Sequence, residues 1–273
     1  MVSANGTQLF ALFINGLHIL HNNGVLDAYG HLSVRNPDDT AAFFMSRSIA
    51  PALASSAGDI VEYRVSDASA VRADAPAGFI ERYIHSEIYK RFPGVGAVVH
   101  SHSPALIPYG VSDVPLRPLL HLAGFLDDDL PVFDIAKYYH PNNTQDLLVR
   151  DARLGAALAA EFAGDEGEGE GEGDLPRHSV ALMRNHGFTT CAADIEAAVV
   201  QAIYAQLNAQ AQSQALAIQH AYSARPPPPL AYLTPRQARD GRATNLETVR
   251  RPWDLWVREV GVSPLYVNEL AGR

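Results

Sequence analysis

Cysteine is nearly missing from this sequence. Cys191 is the only one in 273 residues, so no intramolecular disulfide can form and a cysteine-rich structural zinc site is excluded. A reducing compartment fits that scarcity. Basic clusters are missing too: 21 Lys and Arg stand against 30 Asp and Glu, a formal charge of −9. No Lys/Arg run approaches the length of a phosphate-backbone or membrane-surface patch, so neither nucleic acid nor a membrane is expected as a partner. Long apolar runs are also absent. The longest candidate, residues 9–20, carries Asn15, Gly16 and His18, lacks a basic leader and is too short to span a bilayer. It reads as a buried amphipathic helix. No address signal is evident at either end, which makes the cytosol the default expectation.

What is present is enough apolar material, 47% of the chain, to bury a full core in one α/β domain. Leu9, Phe10, Leu12, Phe13, Leu17 and Leu20 recur at helical spacing until Asn22-Asn23-Gly24 stops them. From Gly30 the pattern changes to short strand-like runs. His31-Leu32-Ser33-Val34-Arg35 and Phe43-Phe44-Met45, separated by a turn at Asn36-Pro37, can pair as a hairpin. Residues 81–91 are helical in periodicity and end before Pro93. Ala97-Val98-Val99-His100 and Val180-Ala181-Leu182-Met183 read as buried strands, and Asp194 is placed to N-cap a long helix through about Ala221.

Two stretches offer little to bury. Residues 164–175 alternate glutamate and glycine, combining charge repulsion with backbone entropy, and read as a flexible acidic surface insertion. Pro226–Pro229 is expected to be extended, dividing a domain at 1–223 from a C-terminal extension at 224–273 that packs near the active site.

The sharpest local signal is Val98-Val99-His100-Ser101-His102-Ser103. Alternate residues of a strand share a face, so two imidazoles here can converge on one ion. A lone His-x-His is also compatible with a polar turn. His186 adds a third imidazole at the end of another apolar strand, just before Gly187. Imidazole suits zinc, manganese, iron, cobalt or nickel, and three protein ligands leave room for a substrate.

Gly30-His31-Leu32-Ser33, then Glu81 followed at a fixed interval by His100-Ser101-His102, then Arg184-Asn185-His186-Gly187, resemble the class II aldolase and adducin head family. The motifs spread over residues from about 10 to 220. The resemblance implies an α/β fold, three layers α/β/α around a central, mainly antiparallel sheet. It also implies that His100, His102 and His186 bind a divalent metal, zinc foremost, with manganese, iron, cobalt or magnesium as alternatives. Glu81 would be the acid/base group and sometimes a fourth ligand, and the chain would form a homotetramer with active sites at subunit interfaces. Read by itself, without the resemblance, Glu81 is better taken as a solvated carboxylate in the first turn of a helix. His85, one turn later, either orients it or simply packs.

The departures from the sugar-phosphate members narrow the substrate. Those members carry an Asn in the Gly-x-Leu/Val-Ser turn, a Thr-Gly pair after the second strand and a Ser-Ser pair before the glutamate. Here the matching stretches read Gly30-His31, Ser46-Arg47-Ser48 and Phe79-Ile80. Phe79 and Ile80 supply no side-chain donors for a phosphate cradle. Arg47 between two serines reads instead as a fork for a carboxylate, or else as a surface arginine. The candidate substrate-binding set is therefore Gly30, His31, Ser46, Arg47 and Ser48, and the expected substrate is a small carboxylic acid. Phe79, Ile80, Trp253 and Trp256 either line a pocket for an aromatic substrate or pack in the core. Arg117-Pro118-Leu119-Leu120-His121 resembles the non-phosphosugar branch, which includes decarboxylases of hydroxylated or pyridine carboxylic acids. His121 falls near the tyrosine proton donor of the aldolases and is a second acid/base candidate, or a structural histidine.

The implied chemistry is carbon–carbon cleavage through a metal-stabilised enolate, with decarboxylation favoured over aldol or epimerase chemistry. Two other classes stay open. Three histidines can hold ferrous iron for an oxygenase, and adducin-like heads use the fold as an interaction module. Those heads lack the full ligand set, which is present here.

Overall fold

The structure, a computed structural model, describes residues 4–164, 174–222 and 228–271. The glutamate–glycine stretch, apart from its margins, and the start of the proline run lie outside the described residues.

The first apolar run forms α1 (Ala4–Asn22). The expected hairpin follows as β1 (His31–Arg35) and β2 (Ala42–Ser46), antiparallel with Ser33 opposite Met45. β3 (Ile60–Arg64), not evident from the sequence, adds to the outer edge of β2. α2 (Arg82–Arg91) leads through a turn at Pro93 into β4 (Ala97–Ser101), which pairs with β1. A short α3 (Ile107–Val111), β5 (Val132–Phe133) and α4 (Ala152–Glu161) precede β6 (Val180–Met183) and β7 (Gly187–Ala192). The long helix α5 (Ile195–Tyr222) starts where expected, with the Ala197 amide donating to Asp194 Oδ1 at 2.7 Å. Two further helices, α6 (Pro235–Glu247) and α7 (Arg250–Gly261), end the chain.

The seven strands run in the order β3-β2-β1-β4-β7-β6-β5, antiparallel except for the β5–β6 pair. Strand alternation separates two cores. Val99 of β4 joins Leu17 of α1, Val199 and Ile203 of α5 and Trp253 of α7 on one face. Its neighbour Val98 joins Ile84 and Ile88 of α2 and Leu154 and Leu158 of α4 on the other. Three layers, α/β/α, with a mainly antiparallel sheet are the result.

Trp253 and Trp256 are buried in the α1/α5/α7 core, Trp256 against Tyr204, so of the two readings for these rings packing is the one realised. The C-terminal segment is tied to α1, where Asn268 donates to Ala11 O at 2.9 Å and Tyr266 meets His21 Nδ1 at 2.9 Å. Among the described residues no helix is long and apolar enough to cross a membrane.

Candidate metal centre

Register brings the polar residues together. His31 of β1 lies opposite His100 of β4, which lies opposite Thr189 of β7, so the three side chains form a row on the α2 side of the sheet. His102, one residue beyond β4, continues the face of His100. The β6–β7 connection is a tight turn in which Asn185 adopts φ +58°, a conformation that asparagine tolerates. Gly187 closes the turn. A Cβ there would sit 2.0 Å from Ser101 O, so only glycine lets this turn approach β4 closely enough to set His186 beside His102.

Glu81 immediately precedes α2 and is 6% exposed; its Oε1 accepts the Val149 amide at 3.0 Å. That bond turns Oε2 toward His100 Nε2 at 3.7 Å and His186 Nε2 at 3.6 Å. His100 Nε2 and His102 Nε2 are 3.1 Å apart, and the ligand atoms of Glu81, His100, His102 and His186 all lie within 4.8 Å of one another. The carboxylate reading of Glu81 is therefore that of a buried group among imidazoles.

The proton positions decide what this cluster can hold. His102 Nδ1 faces Asp27 Oδ2 at 3.4 Å, and a carboxylate only accepts, so the His102 proton sits on Nδ1. Thr189 donates its hydroxyl to Met183 Sδ at 3.3 Å and is left to accept from His100 Nδ1 at 3.2 Å. Both Nε2 atoms thus point bare lone pairs at each other, with a carboxylate oxygen beside them. That arrangement repels itself until a cation enters. A tetrahedral zinc with nitrogen ligands would set them about 3.3 Å apart, close to the 3.1 Å found. Carboxylate and hydroxyl partners behind the imidazoles are the usual means of orienting metal-binding histidines. Burial, then the neighbouring imidazoles His186, His31, His102 and His85, hold His100 well below the ordinary histidine pKa. The imidazole is thereby held neutral, the form able to ligate a metal.

A cavity of about 550 Å³ opens beside the cluster, walled by Tyr29, His31, Ile49, Phe79, Ile80 and Glu81, with His102 and Ser48 also on its lining. Of the sequence-based substrate set, His31 and Ser48 reach it. Gly30 acts through its backbone: its amide donates to Asp27 Oδ1 at 2.9 Å, and a Cβ would crowd Leu26 and His100 O. Ser46 is buried with its hydroxyl unpartnered. Arg47 is not the free fork expected. Its Nε is bound to Asp59 Oδ1 at 2.8 Å, leaving only the outer edge of the guanidinium for another carboxylate. Burial opposes ionisation of Asp59, yet the Ser55 and Ser56 amides and Arg47 hold its carboxyl down at about 2. The Arg47 and Ser48 amides donate to Asp59 O and Ala77 O, at 2.7 and 2.8 Å. These two amides are thus already occupied.

His121 is exposed, and its carbonyl accepts from Asn245 of α6 at 2.9 Å. None of the contacts described for it joins it to the four-residue cluster. Sequence reasoning missed Asp27 and Thr189, whose roles depend on turn geometry and cross-strand register. Asp27-x-x-Gly30 was the only local signal for either.

The chain matches the Class II Aldolase and Adducin N-terminal domain family over residues 13–213. It is 47% identical over 258 residues, 94% of this chain and 95% of the other, to a protein named decarboxylase tropJ from Talaromyces stipitatus. A 3,4-dihydroxyphthalate decarboxylase from Arthrobacter keyseri is 31% identical over 120 residues, 44% of this chain and 41% of that one. Among solved structures, an L-fuculose 1-phosphate aldolase from Glaciozyma antarctica superposes with TM-score 0.69 at 18% identity, covering 98% and 95% of the two chains. An aldolase II superfamily protein from Pseudomonas syringae does so with TM-score 0.72 at 18% identity, covering 97% and 96%. With the motif residues of all three segments gathered at one point of the sheet, the chain belongs to the class II aldolase and adducin N-terminal domain family.

Proposed function

We propose that the protein is a divalent-metal-dependent decarboxylase acting on a hydroxy- or oxo-substituted, aromatic carboxylic acid. The carrying observation is the convergence of His100, His102, His186 and Glu81, with the His100 and His102 lone pairs inward, beside a cavity with apolar walls. Relatives named as decarboxylases support the reaction type, and the occupied amides of Arg47 and Ser48 speak against a phosphorylated substrate.

Three imidazoles and a carboxylate favour zinc, with manganese, iron or cobalt as alternatives and magnesium the poorest match. A divalent cation held there would supply Lewis-acid charge to stabilise the negative charge left on the substrate as the carboxyl group leaves. The remaining work falls to side chains. Phe79, Ile80 and Ile49 offer apolar faces to a ring and exclude water. Ser48 and His31 offer polar contacts to its oxygens. Glu81, fixed through Oε1 by the Val149 amide, would act from Oε2 as the acid/base group, taking the proton of the substrate hydroxyl as it binds and returning it to the carbon that loses carbon dioxide. His121 acts as a second acid/base group only if the assembled protein brings it to a site. A homotetramer fits the exposure of Tyr29 (72%) and Ile80 (50%) at the cavity mouth, surfaces that a partner subunit would cover. A cytosolic, small-molecule role completes the reading.

The test is metal content together with carbon dioxide release across hydroxybenzoic, dihydroxyphthalic and oxo acids, with and without chelation, aerobically and anaerobically. Release that disappears on chelation, returns with zinc or manganese and needs no oxygen is expected. Turnover untouched by metal stripping, or aldehyde release from sugar phosphates instead, overturns the proposal.

A further inference from the structure

β1 and α2 build a second polar line that metal binding does not use. Alternation places His31 and Ser33 on one face of β1, and helical spacing places Glu81, His85 and Tyr89 in one stripe along α2. The two rows interdigitate. Tyr89 Oη and Ser33 Oγ are 2.7 Å apart, Ser33 Oγ and His85 Nδ1 2.6 Å, and His85 Nε2 and His31 Nδ1 2.7 Å. All four residues are at most 1% exposed. At the end of the line, His31 Nε2 is buried with no partner. His31 itself lines the cavity, its ring 4.8 Å from Phe79 and 5.0 Å from His100.

The direction of the protons along this line follows from its far end. A phenol has one proton, and the only hydrogen-bond partner described for the Tyr89 hydroxyl is Ser33 Oγ. If Ser33 donated to Tyr89, the phenolic proton would be buried with nothing to accept it, the costlier outcome. Tyr89 therefore donates to Ser33, and the Ser33 hydroxyl donates to His85 Nδ1. His85 must then carry its proton on Nε2 and donate to His31 Nδ1. With Nδ1 accepting, His31 has its own proton on Nε2, the atom left without a partner.

We infer that the Tyr89–Ser33–His85 line is a one-way hydrogen-bond chain that locks His31 as an Nε2–H donor toward the cavity, where it meets an oxygen of the substrate. Tyr89, Ser33 and His85 are positioning residues, and His31 is the group that touches substrate. The identity of that oxygen, on a carboxylate or on the group that becomes negative as carbon dioxide leaves, rests on the decarboxylase reading; the direction of the chain does not. A fixed donor at this place selects substrates with an acceptor there and discriminates against those whose nearest group is itself a donor.

Nitrogen-15 NMR of the zinc-loaded protein, labelled at histidine and assigned with His31→Gln and His85→Asn, reads each tautomer directly. The expected result is the proton on Nε2 of both His31 and His85. In Tyr89→Phe, Ser33 is free to turn, and His31 is expected to populate the other tautomer with zinc content unchanged. For turnover, His31→Leu should lower kcat by about 10²- to 10³-fold, the usual cost of removing one donor to a developing negative oxygen. His31→Gln, whose side-chain N–H reaches a similar point, should recover most of that loss. A proton found on Nδ1 of His31, or a Tyr89→Phe protein with an unchanged tautomer, overturns the chain whether or not any acid is decarboxylated. A correct tautomer with no turnover on any acid would instead sink the reaction proposed above.

Discussion

The two faces of the sheet bury histidine in opposite ways. On the α1/α5/α7 side, His18 is 1% exposed and donates from Nε2 to Ala54 O at 2.8 Å, one donor meeting one acceptor in an apolar core. On the α2 side, potential ligand atoms of His100, His102, His186 and Glu81 lie within 4.8 Å of one another, the His100 and His102 Nε2 atoms as facing acceptors. The first arrangement is complete as it stands and serves the fold. The second leaves facing acceptors without a donor, an arrangement that a cation would complete, which is how buried polarity suited to chemistry differs from buried polarity devoted to packing.

The largest effect should come from breaking the incomplete side. His100→Ala removes the innermost ligand, and metal retention should be lost with a fall in kcat of about 10⁴-fold or more, over ~5 kcal/mol of barrier. Elemental analysis and carbon dioxide release measure both, while circular dichroism should show the fold kept. On the complete side the reverse is expected. Trp253→Ala, in the α7 core, should cost about 3–5 kcal/mol of stability in urea titration while the metal stays in place. If it released the metal instead, the two faces would not be separable.

A third measurement sharpens the contrast through pH. Burial holds the folded-state pKa of His18 down at about 4, against 6.5 for the free group, the Ala54 carbonyl opposing and His21 adding to it. Below 6.5 the unfolded chain takes up this proton and the folded one does not. Stability from His18 is therefore intact above pH 6.5 and falls as pH drops toward 4, by about 3 kcal/mol in all. Urea midpoints of wild type and His18→Gln across that window should diverge at neutral pH and converge near pH 4. The smallest expected effect is that of Asp27→Asn. It keeps Oδ1 for the Tyr29 and Gly30 amides but replaces the acceptor facing His102 Nδ1. Zinc affinity should fall by about 10- to 100-fold with the fold intact, as loss of a partner behind a ligand usually causes. An unchanged affinity would mean that Asp27 only shapes its turn.

Much of this was legible in the sequence because the signals were local. The apolar period of α1, the hairpin of β1 and β2, the apolar strands before His100 and before Arg184, and the Asp194 cap all stand where the sequence placed them. Other elements carried no such signal. β7 reads Gly-Phe-Thr-Thr-Cys-Ala, and its threonines are buried without an apolar pattern to mark them. Arg47 reads in the sequence as a carboxylate fork or a surface arginine, because Asp59, which holds it, lies on the far side of a turn.

What the sequence determined by itself was the inventory: three imidazoles and a carboxylate in a family-specific order, on elements whose periods could be counted. What only the tertiary structure decided was their state. Cross-strand register put Thr189 behind His100, the turn at Gly30 put Asp27 behind His102, and α2 laid His85 and Tyr89 over His31 and Ser33. Proton positions follow from which acceptor faces which nitrogen, and that is a property of contacts between segments distant in the chain, which no local pattern encodes.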